Sequence, residues 1–366
     1  MTMCLSAFFR RAGVTLVGAL LMCGSSAQAA AGPDPQLIEA AKKEARLVVY
    51  SSTDSASAEP LLQDFRKLYP FLTVEYTDMN TTEIYNRFLA EASAGSGSAD
   101  LLWSSSMDLQ FKLVNEGYAQ PYLSSELAAL PKWASYQNLA YGTTLEPAVI
   151  IYNKRLLPAD SVPKSHADLA RLLRQKPDLL RGKVASFDPE KSGIGFLLHT
   201  QAAKLSPAYW DLVQALGAAG AKVYTSSGAM IEKVGSGEHL VAFTVIGSYA
   251  LLRTKKDANL GMVLPSDYTL AFSRIAFIPK AARHPNAAKL FLDFILSKAG
   301  QQNMAAKSLI YALRDDVSGE ATHAALLKEL GPALKPIPVG ATLLESLDPA
   351  TRLEFLKRWK QSRVLQ

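Results

Sequence analysis

Cysteine is almost missing from this chain of 366 residues: there are two, Cys4 and Cys23, both near the start. The remainder has no thiol, which excludes disulfide frameworks, cysteine nucleophiles, Cys-ligated zinc and iron–sulfur clusters there. Catalytic signatures are missing too. The sequence contains no G-x-S-x-G elbow, no H-E-x-x-H, no Walker loop and no G-x-G-x-x-G. Its five histidines, His166, His199, His239, His284 and His323, are scattered, and none pairs with another His or a carboxylate at metal-ligand spacing. No nucleophile stands beside a base. No later stretch approaches the roughly 18 apolar residues that a membrane span needs, and no Lys/Arg run marks a nucleic-acid binder.

The N-terminus reads as an export signal. Arg10 and Arg11 precede an apolar run from Ala12 to Cys23, and Ala27-Gln28-Ala29 supplies an Ala-x-Ala cleavage site. A lipid anchor at Cys23 is the alternative, against which Met22 stands, and the arginine pair also admits a twin-arginine route. Cleavage after Ala29 removes two arginines and no acid, taking the net charge from +6 to +4. The expected product is a periplasmic, monomeric protein without stable membrane insertion. At 49% hydrophobic and 20% charged, the chain has ordinary globular proportions, and its length favours two domains.

Strands and helices alternate along it. Leu47–Tyr50, Leu72–Tyr76 and Ala99–Trp103 read as strands, with amphipathic helices from about Ser57, around Ile84–Leu89 and after the capping box Ser105-x-x-Asp108. That order implies a mostly parallel sheet covered by helices. A second series begins with the strand Pro147–Tyr152 and continues through strands Lys183–Phe187, Ala221–Tyr224, Leu240–Ile246 and Gly261–Leu264. A strand Ala271–Ile278 and a helix Asn286–Lys298 look like a return to the first unit, before a helical tail from Gln302. The chain therefore crosses between two α/β units near Val149 and Thr269.

Hydroxyls and glycines recur where strands hand over to helices: Ser51-Ser52-Thr53-Asp54, Ser104-Ser105-Ser106, Asp188 to Gly193, Thr225-Ser226-Ser227-Gly228 and Gly247-Ser248-Tyr249. In open parallel sheets a ligand sits outside the carboxyl ends of the strands, where such loops emerge. Helix N-termini there offer free N–H groups and partial positive charge, which suits a carboxylate or phosphate. Any one junction is equally an ordinary N-cap; five of them in two units are what suggest a cleft.

The segments Leu47-Val-Val-Tyr-Ser-Ser-Thr-Asp, Ala99-Asp-Leu-Leu-Trp-Ser-Ser-Ser, Val149-Ile-Ile-Tyr-Asn-Lys, Ser236-Gly-Glu-His-Leu-Val-Ala-Phe, Arg274-Ile-Ala-Phe-Ile-Pro-Lys and the run from His284 to Ser297 carry a resemblance. The chain resembles the extracellular solute-binding proteins of bacterial ABC transporters. Within them it resembles the cluster of ferric-ion, phosphoglycerate, hexose-phosphate and aminoethylphosphonate binders. The resemblance implies the two-domain type II periplasmic binding protein fold, each domain a mixed, mostly parallel sheet flanked by helices, with a cleft between. It places residues 30–148 and 268–298 in an N-terminal lobe, and 149–267 and 299–366 in a C-terminal lobe.

It also implies a non-enzymatic capture protein, with no cofactor and no metal, that delivers a small anion to an inner-membrane permease. A regulator read by a sensor kinase, a ferric-ion binder and a secreted phosphate-ester hydrolase are the alternatives. Iron binders of this kind carry adjacent tyrosines where this chain has Gly247-Ser248-Tyr249, and Ser52-Thr53 stands where they often place a His or acid. By contrast, Ser192-Gly193-Ile194 matches the Ser-Gly-x element that binds an anion in proteins of the cluster, Ser227 matches a neighbouring polar position, and Arg274 resembles the phosphoglycerate-regulator branch, where it could pair with a phosphate. A surface or interdomain salt bridge is the alternative for Arg274. Trp103 and Tyr249 are candidates for the cleft wall or for the core, and Asp188 and Glu232 for contacts to an amino or hydroxyl group. Ser52, Thr53, Asp54, Ser104, Ser105 and Ser248 complete the expected ligand set. A phosphorylated or phosphonate-bearing metabolite is the expected ligand.

Overall fold

The computed structural model describes residues 34–97 and 99–363. The export signal, its cleavage site, Cys23 and Ser98 at the end of the Gly/Ser loop lie outside the described residues. The strands are β1 (Arg46–Ser51), β2 (Thr73–Asp78), β3 (Leu101–Ser104), β4 (Ser135–Tyr136), β5 (Ala140–Gly142), β6 (Glu146–Asn153), β7 (Val184–Phe187), β8 (Lys222–Tyr224), β9 (Val241–Ile246), β10 (Leu260–Val263), β11 (Thr269–Phe272), β12 (Ile275–Phe277) and β13 (Leu334–Pro336).

Two mixed sheets result. The first runs β2-β1-β3-β12-β5-β4 and the second β13-β11-β6-β9-β7-β8, with β10 also paired to β6. In the first sheet β1 is parallel to β2 and β3, while β12 is antiparallel to both β3 and β5. In the second, β7 is parallel to β8 and β9, and β6 is antiparallel to β9, β10 and β11. Helices cover both sheets because the central parallel strands β1, β3, β7 and β9 are buried on both faces. Helix Pro285–Leu296 starts on a proline at its first position and packs Phe291 and Phe294 at 4.9 and 5.5 Å from the ring of Phe65. Asp100 anchors the entry to that helix. Its carboxylate accepts hydrogen bonds from the amides of Val48, Arg283 and His284 at 2.8–2.9 Å. The expected cap at Ser165 is present, its Oγ accepting from the amide of Asp168 at 2.9 Å. Helix Met107–Asn115, by contrast, starts from Ser106 rather than Ser105.

The crossings differ from the sequence reading. Ala271–Ile278 is not one strand: β11 belongs to the second sheet, β12 to the first, and Ser273-Arg274 is the link. The other crossing is Thr143–Leu145, between β5 and β6, slightly before Val149. The tail also divides. Met304, Ile310, Tyr311, Leu313 and Leu326 join the core of the first sheet, and Lys307 pairs with Asp64 at 2.7 Å. Residues 299–326 therefore pack with the N-terminal lobe, not the C-terminal one, because their apolar side chains complete its core. The chain then returns to the second sheet through β13. Helix Pro349–Arg363 ends there, with Trp359 buried 4.4 Å from the ring of His199.

Phe65 is fully buried among three aromatic rings, so Phe65→Ala should cost about 3–5 kcal/mol in denaturant unfolding. A cost below about 1 kcal/mol would mean that the Phe291 helix collapses into the space.

Candidate functional site

A cavity of about 110 Å³ lies between the two sheets, lined by Ser52, Asp54, Thr81 and Ser105 on one side and Phe187, Ile194, Thr225–Gly228, Ile246 and Tyr249 on the other. It has room for several water molecules. Each lining segment follows the carboxyl end of a strand: Ser52 after β1, Thr81 after β2, Ser105 after β3, Phe187 and Ile194 at and after β7, Thr225–Gly228 after β8, Ile246 and Tyr249 at and after β9. Helices Ser55–Leu68, Thr81–Ser93, Met107–Asn115, Gly193–Leu205, Ser227–Ser236 and Gly247–Thr254 all start from these loops. Their first amides have no partner inside the helix.

The hydroxyls are held by backbone. Ser52 Oγ accepts from the Ser105 amide at 2.9 Å and lies 3.2 Å from Ser105 Oγ. Ser227 Oγ accepts from the Ile246 amide at 3.0 Å, and Ser226 Oγ caps its helix at the Ala229 amide. Several contacts bridge the lobes, among them the Thr82 hydroxyl, which donates to the Lys191 carbonyl at 3.4 Å. The Ile194 amide donates to Thr81 Oγ1 at 3.3 Å. Tyr249 OH accepts from the Asp54 amide at 3.2 Å and donates to the Ser52 carbonyl at 3.4 Å. Burial raises the pKa of Asp54, with Arg274 pulling the other way and Asp78 adding to the rise. Burial likewise raises that of Tyr249, again against Arg274.

Of the expected residues, Ser52, Asp54, Ser105, Ile194, Ser227 and Tyr249 meet at this cavity. Others do not. Trp103 is fully buried and donates Nε1–H to Thr143 Oγ1 at 2.7 Å, so it belongs to the core of the first sheet rather than to the wall. Ser104 is buried within β3. Asp188 spends a carboxylate oxygen on the amides of Glu190 and Lys191 and does not line the cavity. Ser192 caps its helix through the Gly195 amide, at 3.2 Å. Thr53 Oγ1 and Ser248 Oγ are buried away from the cavity with no hydrogen-bond partner among the described residues. Glu232 is exposed.

Arg274 differs most from a phosphate-pairing role. It is fully buried, and its fork is engaged by Glu146, with Nε–Oε1 at 2.6 Å and Nη2–Oε2 at 3.0 Å. Burial opposes its charge, and the Glu146 carboxylate more than offsets that, holding the guanidinium protonated. The alternative of an interdomain salt bridge is the one observed. Glu146 and Thr81 were missed by the sequence reading. Thr81 sits at the β2-to-helix junction and carries the same hydroxyl signal as the other loops; Glu146 gave no local signal.

A second cavity, of about 250 Å³, lies beyond the Thr81–Ile194 contact and is lined by Thr82, Tyr85, Asp108, Ser192, Gly193 and Phe196 among others. Asp108 is buried there and its pKa is pushed up to about 6 by that burial, against hydrogen bonds from Ser106 and the Leu109 amide. The largest depression, about 800 Å³, lies on the first lobe between helices Pro35–Glu44 and Pro285–Leu296, away from the loops. Among the described residues no three His, Cys, Asp or Glu side chains are grouped to hold a metal ion, and no helix is long and apolar enough to cross a membrane.

A family model described as bacterial extracellular solute-binding protein matches residues 61–326. The structure is similar to that of the substrate-binding protein of an ABC transporter from Agrobacterium tumefaciens, with 38% identity, 87% of this chain and 94% of that chain covered, and a TM-score of 0.84. It is similar in fold to the periplasmic binding protein AfuA from Actinobacillus pleuropneumoniae with fructose-6-phosphate bound, at 22% identity, covering 87% of this chain and 98% of that one, TM-score 0.72. Iron-bound HitA from Pseudomonas aeruginosa shares the fold at 21% identity, 87% and 99% coverage and a TM-score of 0.66.

A methyl group at Gly193 would lie 2.6 Å from Ser106 Oγ and 2.9 Å from Thr81 Oγ1, both on the opposite lobe. Gly193→Ala should hold the lobes apart while leaving each folded, and small-angle scattering should show a larger radius of gyration than the parent. An unchanged radius would mean that the two hydroxyls swing aside.

Asp108 has a folded pKa above its unfolded value, so its contribution to stability is present at low pH and is lost as pH rises through about 6. Asp108→Asn keeps an acceptor for Ser106 and Leu109 but carries no charge. The substitution should stabilise the protein at pH 7.5, by on the order of 2–3 kcal/mol, and do little at pH 4. Denaturation at both pH values checks this; equal effects would remove the carboxylate as the cause.

Proposed function

Because this chain belongs to the bacterial extracellular solute-binding proteins, a family of binding proteins rather than enzymes, we propose that its cleft captures a small anionic metabolite bearing a phosphoryl or phosphonyl group. The permease of an ABC importer is the partner that such a protein serves. The observation that carries the anion class is the convergence of helix N-termini and Ser/Thr hydroxyls on one cavity, with Ser105, Ser226, Ser227 and Thr81 among its lining. These donors are neutral and already oriented, which suits an anion held reversibly. A phosphoryl monoanion also brings an O–H of its own, for which the Asp54 carboxylate is an acceptor at the mouth.

Binding works through the seam. The Ile194 N–H donates to Thr81 Oγ1 across the cavity. An anionic oxygen between them takes this N–H and the Thr81 O–H, one from each lobe, and so binds the closed form better than the open one. That differential affinity is what closes the clamp. A regulator read by a sensor kinase would use the same residues, and a partner pull-down from the membrane separates the two.

Ferric ion is the second reading, since Tyr249 and Asp54 meet at the cavity. A hard trivalent ion needs several anionic oxygens, and one phenol with one carboxylate is a poor set. Ferric citrate should therefore produce no stoichiometric phenolate-to-iron colour. Such a colour, lost in Tyr249→Phe, would replace the anion reading with a metal one.

A thermal-shift series over sugar phosphates, phosphoglycerates and phosphonates tests the anion directly. A ligand at a hundredfold excess over Kd should stabilise the chain by about 2.7 kcal/mol. Ser105→Ala, which removes one neutral donor, should weaken that ligand's affinity about fivefold in calorimetry. A shift with a neutral sugar or a polyamine and none with any anion would overturn the ligand class.

A further inference from the structure

The two strand crossings nearest the cavity are bolted together by side chains that are not part of its lining. Glu146 opens β6 at one crossing, and Arg274 links β11 to β12 at the other. Both are fully buried and joined by two hydrogen bonds. Thr144 Oγ1 donates to Glu146 Oε1 at 3.1 Å and accepts from the Arg274 amide at 2.9 Å, and Thr143 takes the Arg274 carbonyl through both its amide and its hydroxyl. From this bolt the guanidinium reaches toward both walls of the cavity. Its Nη1 donates to the carbonyl of Ser52, on the first-lobe wall, at 3.2 Å. Its carbon lies 5.5 Å from the ring centre of Tyr249, on the second-lobe wall.

We propose that Arg274 is the positioning residue that draws the two cavity walls together from behind, and that Glu146 cancels its charge so that the cleft selects solutes by hydrogen bonding rather than by net charge. This rests on the reading of the 110 Å³ cavity as the solute site. Three consequences follow from the geometry. A lysine at 274 keeps the charge but loses the fork, so it cannot hold Glu146 and the Ser52 carbonyl at once. Loss of the Tyr249 ring frees the second-lobe wall without touching the buried pair. An amide at 146 still accepts from Nε but leaves the guanidinium uncompensated a few ångströms behind the cavity, where low dielectric makes that charge felt.

The experiment uses the full chain, which has no cysteine after Cys23. Spin labels at Lys67→Cys and Asp160→Cys, at positions whose side chains are 75% and 82% exposed on opposite lobes, report lobe separation by pulsed electron resonance. Without any solute, Arg274→Lys and Tyr249→Leu should each lower the ratio of closed to open form, the first by at least about tenfold, since a charge-assisted hydrogen bond is lost. Distance distributions matching the parent's in both variants overturn the positioning role; if Arg274→Lys does not fold, Tyr249→Phe, which keeps the ring and loses the bridging hydroxyl, is the reference, and Tyr249→Leu opening no further than Tyr249→Phe overturns the role. In parallel, inorganic phosphate is titrated into the parent and Glu146→Gln. The variant should bind phosphate on the order of tenfold more tightly, with a steeper salt dependence, and should not gain affinity for glucose. Equal or weaker phosphate binding in a folded Glu146→Gln overturns the charge-cancelling role. Lobe separation that shifts as expected, in a parent whose melting temperature no anion raises, would leave Arg274's role standing and remove the anion reading instead.

Discussion

The ion pair of Arg274 with Glu146 is the constraint on which the rest depends. Two strands leave one sheet for the other at these residues, and both side chains lie in the interior. Burying two charges costs several kcal/mol each, and a good pair recovers that only with every hydrogen bond made. Here Thr144 supplies an extra donor to the acid and Ser52 an acceptor for the base. Such a pair adds little net stability compared with an apolar substitute, but it tolerates no slippage. Moving either strand by one residue would leave a buried charge unpaired. The register of both crossings follows, and with it the placement of the loops at either side of the cavity.

That placement explains why the site is made of hydroxyls and amides. With the sheets joined at these crossings, the loops after β1, β2, β3 and after β7, β8, β9 line the same space. Each loop there must turn from strand to helix, and serine or threonine satisfies the first amides of that turn. The same groups that end strands and start helices thereby become donors to a solute. The cleft needs no buried lysine for this, and Arg274 is kept out of it by its pairing.

The loops were legible beforehand because a hydroxyl or glycine after an apolar run is a local signal. Their convergence was legible only as a suggestion. What failed to show was how each hydroxyl is spent. Ser192 and Ser226 both cap their own helices, yet only Ser226 lines the cavity, beside Ser227, whose Oγ ties to the amide of Ile246. Trp103 illustrates a second limit. Leu101 and Trp103 face one core and Leu102 the other, so β3 is apolar on both sides. A period of two carries no information when both faces are buried. Ala271–Ile278 illustrates a third, since an unbroken apolar run hid the change of sheet at Ser273-Arg274.

By itself the sequence determined the alternation of strands and helices, the crossing of the chain between two units, the serine-rich junctions and the absence of thiol chemistry beyond Cys23, because each of these is written in neighbouring residues. Only the tertiary structure decided the lobe to which residues 299–326 belong, the burial of Trp103, and the partner of Arg274. Glu146 lies 128 residues from Arg274 along the chain, and a contact over that separation exists only once both sheets have formed.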